Sequence, residues 1–332
     1  MKKTITDFAE AVRTETVKKL GREYKVTIET KSKNNKVVYT GLHIRKKGME
    51  SEPLVYLDDY FRQYQNGNMT ISESAECVVS ASRKKGPSVD MKQFLEYEKI
   101  KDSIVYRLVN TEMNRELLDD LPHIEYLDLS VVFCCLVMEK GKSHAFIWIH
   151  NVHLKLWDVT VEELYRTAAE NTQRLEKPEL MDMEEVLYDV LKEEGTSLND
   201  SAGYKKEESD RNYDAEYREE EPDENIDAAY PEKCSSTVPV YVLSNTERLE
   251  GAACILYPDL LRRIADRMDS SYYIIPSSIH EVLLIPTAGF TDRDEMKAMI
   301  REVNDTQVKP EERLSYSLYG YDKKENKIEI LC

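Results

Sequence analysis

The hydrophobic pattern changes period along the chain, and each change predicts a different element. Residues 4–20 place apolar side chains such as Ile5 and Phe8 at helical spacing, which predicts an amphipathic helix. Strict alternation follows through 24–28 and again through 38–44, on either side of an asparagine-containing turn. Two alternating runs around a turn predict a β-hairpin with one buried face.

Helices and strands continue over the rest of the chain, so the predicted fold class is α+β. The pattern predicts helices at 56–64, 71–83 and 91–100, strand 105–109, helix 112–121, strands 127–138 and 144–150, helices 161–175 and 183–193, strands 240–244 and 252–256, helix 258–268, strands 272–275 and 281–285, helix 292–303 and a hairpin of 316–321 with 327–331. Apolar and aromatic residues through 147–157 indicate extended structure, which would place the rings of His150 and His153 on opposite sides.

A polar tract at 196–233 interrupts these elements. It carries thirteen acidic and five basic residues, a net charge of −8, with few side chains suited to burial. Such a segment cannot recover its ordering entropy by burial, so it predicts a disordered acidic linker. The predicted organisation is a helix, hairpin and helices module at 1–103, an α/β unit at 104–195, the linker at 196–237 and a second α/β unit at 238–332.

A short internal repeat relates the two α/β units. Residues 105–112 and 240–247 agree at six of eight positions, and a helix, two strands and a second helix are predicted after each copy. Internal duplication and a chance match both explain this agreement. Different strand orders in the two units would exclude duplication.

The charge balance narrows the classes of partner. The chain has 332 residues with 46 basic and 63 acidic side chains, a formal charge of −17. Nucleic acid and anionic membranes are therefore not expected as the main partner, because both require concentrated Lys and Arg. Basic runs at 45–47 and 83–85 leave local contact with an anionic partner open.

The absence of several motifs bears on location and chemistry. No apolar run approaches the roughly 20 residues of a membrane-spanning helix, and charged residues interrupt any N-terminal export signal. The six cysteines form no CxxC pair, which favours reduced thiols in a cytoplasmic protein. Neither a phosphate-binding glycine motif nor HExxH is present, so no cofactor and no metal are expected.

Motifs spread over most of the chain resemble one bacterial family. They are Tyr-Leu-Asp-Asp-Tyr at 56–60, Tyr-Gln-Asn-Gly at 64–67, Tyr-Arg-Leu-Val-Asn at 106–110, Pro-His at 122–123, Leu-Asp-Leu at 127–129, Thr-Val-Glu-Glu-Leu at 160–164 with Ala168, Asn-Thr at 171–172 and Ile-Ile-Pro-Ser-Ser-Ile-His-Glu-Val at 274–282. In combination they resemble the domain-of-unknown-function family DUF5688, which implies a cytoplasmic accessory role and no assigned reaction. The portion from Trp157 onward is also distantly similar to the YtpQ-like family.

The strongest candidate for chemistry is the segment between the strands predicted at 272–275 and 281–285. Ser278, His280 and Glu281 could act there as nucleophile, base and orienting carboxylate, with Ser277 as a ligand or partner contact. Neighbouring strand residues face opposite ways, so the alternative is a turn whose serines bond their own backbone.

Four other residues are candidate ligand or partner contacts. Asn110 and Asn245 follow the repeated strand motifs, where an asparagine can also support a turn by bonding its own backbone. Asp128 could supply a carboxylate from the other unit, and its structural alternative is a turn cap. His123 adds an imidazole.

The sequence favours a soluble, non-enzymatic interaction or accessory protein with a protein partner. Catalytic and cofactor signatures are absent, and 21 tyrosines outnumber 6 phenylalanines. Tyrosines at 56, 60 and 64 recur at helical spacing, which fits either core packing or a partner interface. The alternative is a hydrolase-like enzyme built around Ser278, His280 and Glu281. The oligomeric state stays open.

Overall fold

The computed structural model describes residues 3–48, 52–84, 91–137, 145–187, 239–289 and 292–332. The predicted linker at 196–237 lies outside these residues, as do His144 and Cys234. The described chain combines helices with antiparallel sheets, which confirms the predicted α+β class. None of its helices is long and apolar enough to cross a membrane.

The N-terminal part is a three-stranded sheet packed against helices. Its elements are α1 (Ile5–Leu20), β1 (Tyr24–Ser32), β2 (Val38–Lys46), β3 (Leu54–Tyr56), α2 (Asp58–Gln65) and α3 (Ile71–Arg83), and β1–β3 are called the N-terminal sheet. Val26, Leu42 and Ile44 alternate along the hairpin and form an apolar cluster with Phe8 and Val12 of α1. The predicted hairpin with one buried face is confirmed.

Two helix boundaries differ from the prediction. Tyr56 belongs to β3 and α2 begins at Asp58, so Tyr56, Tyr60 and Tyr64 do not share a helical face. Tyr60 and Tyr64 pack against the N-terminal cluster, whereas the Tyr56 ring lies 5.4 Å from that of Tyr39. The helix predicted at 91–100 is divided into α4 (Met91–Phe94) and α5 (Tyr97–Ile100).

A second sheet is organised around one central strand. Its elements are β4 (Ile104–Asn110), α6 (Arg115–Leu118), β5 (His123–Tyr126), β6 (Leu129–Val137), β7 (Ala145–Trp148), α7 (Asn151–Trp157) and α8 (Val161–Leu175). β6 pairs with β4 on one side and with β5 and then β7 on the other, always antiparallel. We call β4–β7 the middle sheet. The extended structure predicted at 147–157 is wrong beyond Trp148, because α7 begins at Asn151.

The third sheet has six antiparallel strands. Its elements are β8 (Pro178–Asp182), β9 (Tyr241–Asn245), α9 (Leu260–Met268), β10 (Tyr272–Ile275), β11 (Val282–Pro286), α10 (Arg293–Thr306), β12 (Tyr319–Asp322) and β13 (Lys327–Ile330). The order of this C-terminal sheet is β13-β12-β10-β11-β9-β8. The strand predicted at 252–256 is wrong, since Gly251–Leu256 is a buried 3-10 helix.

The middle and C-terminal sheets share one apolar core. Tyr106 and Phe133 of the middle sheet belong to the same cluster as Leu243 and Tyr272 of the C-terminal sheet. β8 also comes from the predicted unit 104–195 and pairs with β9, which follows the linker. The chain on the two sides of the linker is therefore held together by both burial and a β-ladder.

The two α/β units share the order of their first three strands but not of the fourth, because β7 pairs with the central strand β6 whereas β12 pairs with β10. β6 lies between β4 and β5, and β11 lies between β9 and β10, so the third strand of each unit is central and antiparallel to the first two. The shared order covers only three strands and does not establish duplication, because simple antiparallel orders also arise independently. Common origin stays a hypothesis.

Side chains of α8 close the outer edge of β4. The Tyr106 N–H donates to Thr172 Oγ1 at 3.1 Å, and the Asn171 side-chain amide donates to the Ile104 carbonyl at 2.9 Å. The Arg107 guanidinium donates to the Tyr106 carbonyl at 2.9 Å. Unpaired groups along a strand edge can recruit another strand, so these bonds remove β4 as a site for such pairing.

Candidate functional site

The predicted Ser278–Glu281 segment lies in the connection between β10 and β11. Its backbone runs beside a C-terminal segment: Ile279 N–H donates to Glu312 O at 2.8 Å, and Leu314 N–H donates to Ser277 O at 3.0 Å. Ser277 and Ser278 are both buried. The segment is thus paired with residues 312–314 of the same chain.

Hydrogen bonds hold His280 through its own backbone and through Glu250. The Ser278 hydroxyl oxygen accepts the His280 backbone N–H at 3.0 Å. Imidazole Nδ1 accepts the Glu250 backbone N–H at 3.1 Å, and Nε2 lies 3.8 Å from the Glu312 carboxylate. Burial raises the pKa of the neighbouring Glu281 carboxyl. A nucleophile and its base need a hydroxyl-to-imidazole bond; these contacts instead engage the Ser278 oxygen and imidazole Nδ1 with backbone amides.

The loop that carries Glu250 has a strained but well-supported backbone. The Asn245 side chain donates to Leu249 O at 2.8 Å and accepts the Leu249 N–H at 3.1 Å, which is the turn-supporting role predicted for an asparagine after a strand. Arg248 and Glu250 are left-handed, with φ of 52° and 56°. Non-glycine residues in this region persist only where surrounding contacts hold them, so the loop places the Glu250 carboxyl in a defined position.

Glu250 lies beside a buried ion pair. Arg107 is 3% exposed and Glu176 is 7% exposed, and their side chains make two parallel bonds of 2.7 and 2.5 Å. Arg107 Nε is buried without a hydrogen-bond partner among the described residues. We call Arg107, Glu176 and Glu250 the Arg107 cluster. It joins β4, the end of α8 and the loop after β9.

A small cavity adjoins the Arg107 cluster. It is also lined by Leu136, Phe146, Glu247 and Leu249, and its volume of about 10 Å³ approaches that of one water molecule. Burial raises the pKa of the Glu250 carboxyl above its ordinary value of 4.5, while the charge of Arg107 lowers it. The cluster therefore combines a permanent cation, a paired carboxylate and a carboxyl whose pKa is raised by burial.

Sequence reasoning missed the Arg107 cluster. The available signal was Arg107 itself, a charged residue within an otherwise apolar strand, because a buried charge needs a partner. Nothing local identifies Glu176 or Glu250 as that partner.

Asn110 and Asp128 bind the C-terminal segment. Asn110 accepts the Met113 N–H at 2.9 Å, supporting its own turn, and its amide donates to Leu314 O at 2.9 Å. The Asp128 carboxylate accepts hydroxyl bonds from Ser315 at 2.6 Å, from Ser317 at 3.0 Å and from Tyr319. Asp128 thus joins the middle sheet to the C-terminal sheet.

Ser315 connects Asp128 to the Ser278–Glu281 segment. The Ser315 N–H donates to Pro276 O at 2.8 Å, so the two predicted candidates are linked through one residue. His123, by contrast, bonds locally, with Nδ1 donating to Leu121 O at 2.9 Å.

His150 and His153 lie on the same side of the chain, contrary to prediction. Their ring centroids are 5.6 Å apart because the two residues span the first turn of α7. His153 Nδ1 accepts the His150 N–H, and the His150 ring bonds Asp120 at 2.7 Å. Within the described residues no group of three His, Cys, Asp or Glu side chains has metal-binding geometry.

Cys134 and Cys135 belong to opposite faces of β6. Cys135 is part of the shared core, whereas Cys134 packs in a separate apolar cluster. Burial raises their pKa to about 12 for Cys134 and about 11 for Cys135, so both are thiols at neutral pH.

The family assignment follows from a match along nearly the whole chain. A family of unknown function, DUF5688, matches residues 5–323. The chain belongs to this family. Comparison with curated proteins and with solved structures finds no match. The YtpQ-like resemblance stays a prediction.

The DUF5688 motifs quoted from the sequence coincide with the junctions of the fold. The 106–110 motif contains Arg107 and Asn110, the 171–172 motif closes the β4 edge, and the 274–282 motif pairs with the segment before β12. Residues of the family motifs therefore make contacts between different helices and strands.

Replacing Glu250 tests the protonation of the Arg107 cluster. Burial raises the folded-state pKa of Glu250 above its ordinary value of 4.5. The protonated Glu250 carboxyl therefore contributes fully to folding stability below pH 4.5, and this contribution is lost as pH rises through the folded-state pKa. We expect E250Q to have a higher urea midpoint than the wild type at pH 7 and the same midpoint below pH 4.5. The exposed Glu247 on the same cavity gives the control E247Q, which should have nearly the wild-type midpoint at pH 7. Equal midpoints for E250Q and E247Q at pH 7 would contradict the prediction.

Proposed function

We propose that the protein is a non-enzymatic interaction protein whose N-terminal sheet binds a protein partner. The proposal is supported by the long, open edge strand β1. β1 has nine residues and pairs only with β2 among the described strands. Strands at sheet edges are usually short or covered, because their free N–H and C=O groups can pair with another chain.

The register of the hairpin identifies the outward groups of β1. Ile44 N–H donates to Pro53 O at 2.9 Å, so Ile44 faces β3. Val26 lies opposite Ile44. Directly opposite residues of an antiparallel pair either bond each other or both face away. Val26, and with it Ile28 and Thr30, therefore turns its N–H and C=O toward the open edge.

The outward backbone N–H and C=O groups of β1 form no hydrogen bond with the rest of the described chain. Neither backbone nor side-chain hydrogen bonds reach Val26, Ile28 or Thr30 from outside the hairpin within the described ranges. The edge of β4 is different, because α8 closes it. The edge strand β13 of the C-terminal sheet has only four residues. β1 is thus the edge best suited to accept an added strand.

A proline at Thr30 tests this proposal. Thr30 is exposed and its N–H faces the open edge, so T30P removes an outward donor while leaving the β1–β2 bonds in place. T30V keeps the N–H and is the matched control. Affinity capture from lysate of the source cells, followed by binding measurements with the purified captured protein, should show a partner bound by wild type and T30V and at least tenfold more weakly by T30P.

Two outcomes would overturn the proposal. The first is capture of the same proteins with equal affinity by T30P and T30V. The second is failure of wild type to bind any protein under these conditions. Circular dichroism and thermal unfolding of T30P establish that the variant is folded before binding is compared.

A further inference from the structure

We infer that the segment accepted by β1 is extended and acidic, with apolar residues at alternate positions. This inference rests on the proposed function and adds the chemistry of the partner. It is carried by the distribution of side chains and charge along β1.

The two faces of β1 differ in chemistry. Val26 and Ile28 point toward α1, where they join or pack against the N-terminal cluster. Successive side chains alternate between faces, so Lys25, Glu29 and Lys31 point to the other face of the sheet. A strand added beside β1 would have the same two faces, with apolar side chains next to Val26 and Ile28 and polar side chains next to the lysines.

The acidic group on this face of β1 already has partners in β2. Glu29 lies 2.7 Å from the His43 ring and 3.5 Å from the Arg45 guanidinium. Arg45 also contacts Glu52 at 3.0 Å. The charge of Glu29 is therefore engaged mainly by His43 and Arg45, and Lys31 adds a weaker attraction.

The positive charge of the β1 lysines is largely available to a partner. Lys25 and Lys31 make no ion pair in the parts of the chain that the structure describes, and neither does Lys33 just after the strand. Lys33 Nζ instead lies 4.4 Å from the centroid of the Tyr56 ring, a cation–π contact that leaves its charge in place. A carboxylate on an added strand is the natural partner for such a row of ammonium groups.

Spacing further defines the partner. Lys25 and Lys31 are six residues apart on one face, which is about 20 Å along a strand. A partner strand with acidic residues at alternate positions meets both. The chain as a whole has a charge of −17, but this acts weakly at the edge, since exposed charges are screened beyond about 8 Å at physiological salt. The preference for an acidic peptide therefore depends on the charges close to β1.

Peptide selection tests the inference with the full-length protein. Three libraries of 12-residue peptides would share β-branched or aromatic residues at alternate positions, with the other positions acidic, neutral or basic. We expect wild type and T30V to enrich the acidic library about tenfold over the neutral one, T30P to lose this enrichment, and the charge-reversed K25E/K31E variant to prefer the basic library. Enrichment on wild type should decline as salt increases.

The outcomes distinguish this inference from the proposed function. Edge-dependent binding of a partner with equal selection of all three libraries would overturn only the acidic preference, as would a K25E/K31E variant that still selects acidic peptides. No selection on wild type would also overturn it. If wild type dimerises and T30P does not, the occupant is a second copy and the inference fails. If K25E/K31E aggregates while wild type selects no acidic peptide, the lysines serve to prevent edge-to-edge association, and the inference is again wrong.

Discussion

Replacing Arg107 with methionine is expected to lower the free energy of unfolding by about 3–5 kcal/mol. The guanidinium is 3% exposed and makes both of its parallel bonds to Glu176, which is itself buried. Methionine retains much of the apolar contact but leaves the Glu176 carboxylate without its cation in the interior. Urea unfolding followed by the fluorescence of Trp148 and Trp157 measures the loss.

Two variants make the test specific to the buried charge. R107M/E176L removes both partners, and replacing a buried pair with apolar groups is often neutral, so the double variant should recover most of the lost stability. R62M breaks an exposed pair, since Arg62 and Asp59 are 63% and 70% exposed, and should cost under about 1 kcal/mol. A loss in R107M no larger than that in R62M, or no recovery in the double variant, would contradict the role assigned to the pair.

Local signals in the sequence account for the elements that were predicted correctly. The β1–β2 hairpin follows from alternation, and α8 begins where Thr160 and Glu163 form a capping box, with bonds of 2.9 and 3.2 Å between them. These signals act between residues within about four positions of each other. They are therefore visible before any tertiary structure is known.

The errors occurred where tertiary contacts override local pattern. Residues 251–256 are apolar enough for a strand, yet the close approach of Gly251 to β9 and to His280 turns the chain into a 3-10 helix. The 147–157 region has the apolar content of extended chain, but α7 begins at Asn151, where His150 bonds Asp120. In both cases a contact with a residue distant in sequence accompanies the local conformation, and at α7 the bond from the His150 N–H to His153 Nδ1 also caps the helix.

The candidate site was only partly predictable for the same reason. Asn110 and Asn245 were identified by their positions after strands, and they are the last residues of β4 and β9. The Ser277–Glu281 segment lies in the expected connection between β10 and β11. Their partners come from other segments. The pairing of Arg107 with Glu176 spans 69 residues, and no periodicity or motif encodes such a contact.

The junction residues give the family motifs a physical explanation. Asp128, Asn110 and Arg107 each bond a group from another element, and the shared core places the middle and C-terminal sheets in contact. Buried polar groups that satisfy one another specify a single arrangement of the elements they join. The N-terminal sheet keeps its own apolar cluster and an uncovered edge, so binding there need not disturb the core.

Gly251→Ala is expected to cost about 3 kcal/mol of unfolding free energy, at the upper end for overpacking. A Cβ at Gly251 would lie 2.3 Å from Ser244 Oγ, 2.5 Å from Asn245 N and 2.8 Å from His280 O. Two of these atoms are backbone, and the Ser244 hydroxyl donates to His280 O at 2.7 Å. No side-chain rotation can relieve all three contacts. The loop, β9 and the Ser278–Glu281 segment must therefore separate.

Gly67→Ala is the control for a glycine replacement that creates no close contact. Gly67 has φ of 77°, yet a Cβ there would meet nothing within 4 Å. Its replacement should cost only the left-handed penalty of about 1–2 kcal/mol. Urea unfolding gives both values, and hydrogen exchange of the Glu250 amide, which donates to His280 Nδ1, should accelerate in G251A alone. If G251A costs no more than G67A and leaves that amide protected, the close packing of the loop against β9 is not what holds Glu250 in place, and the left-handed residues and the Asn245 bonds must suffice.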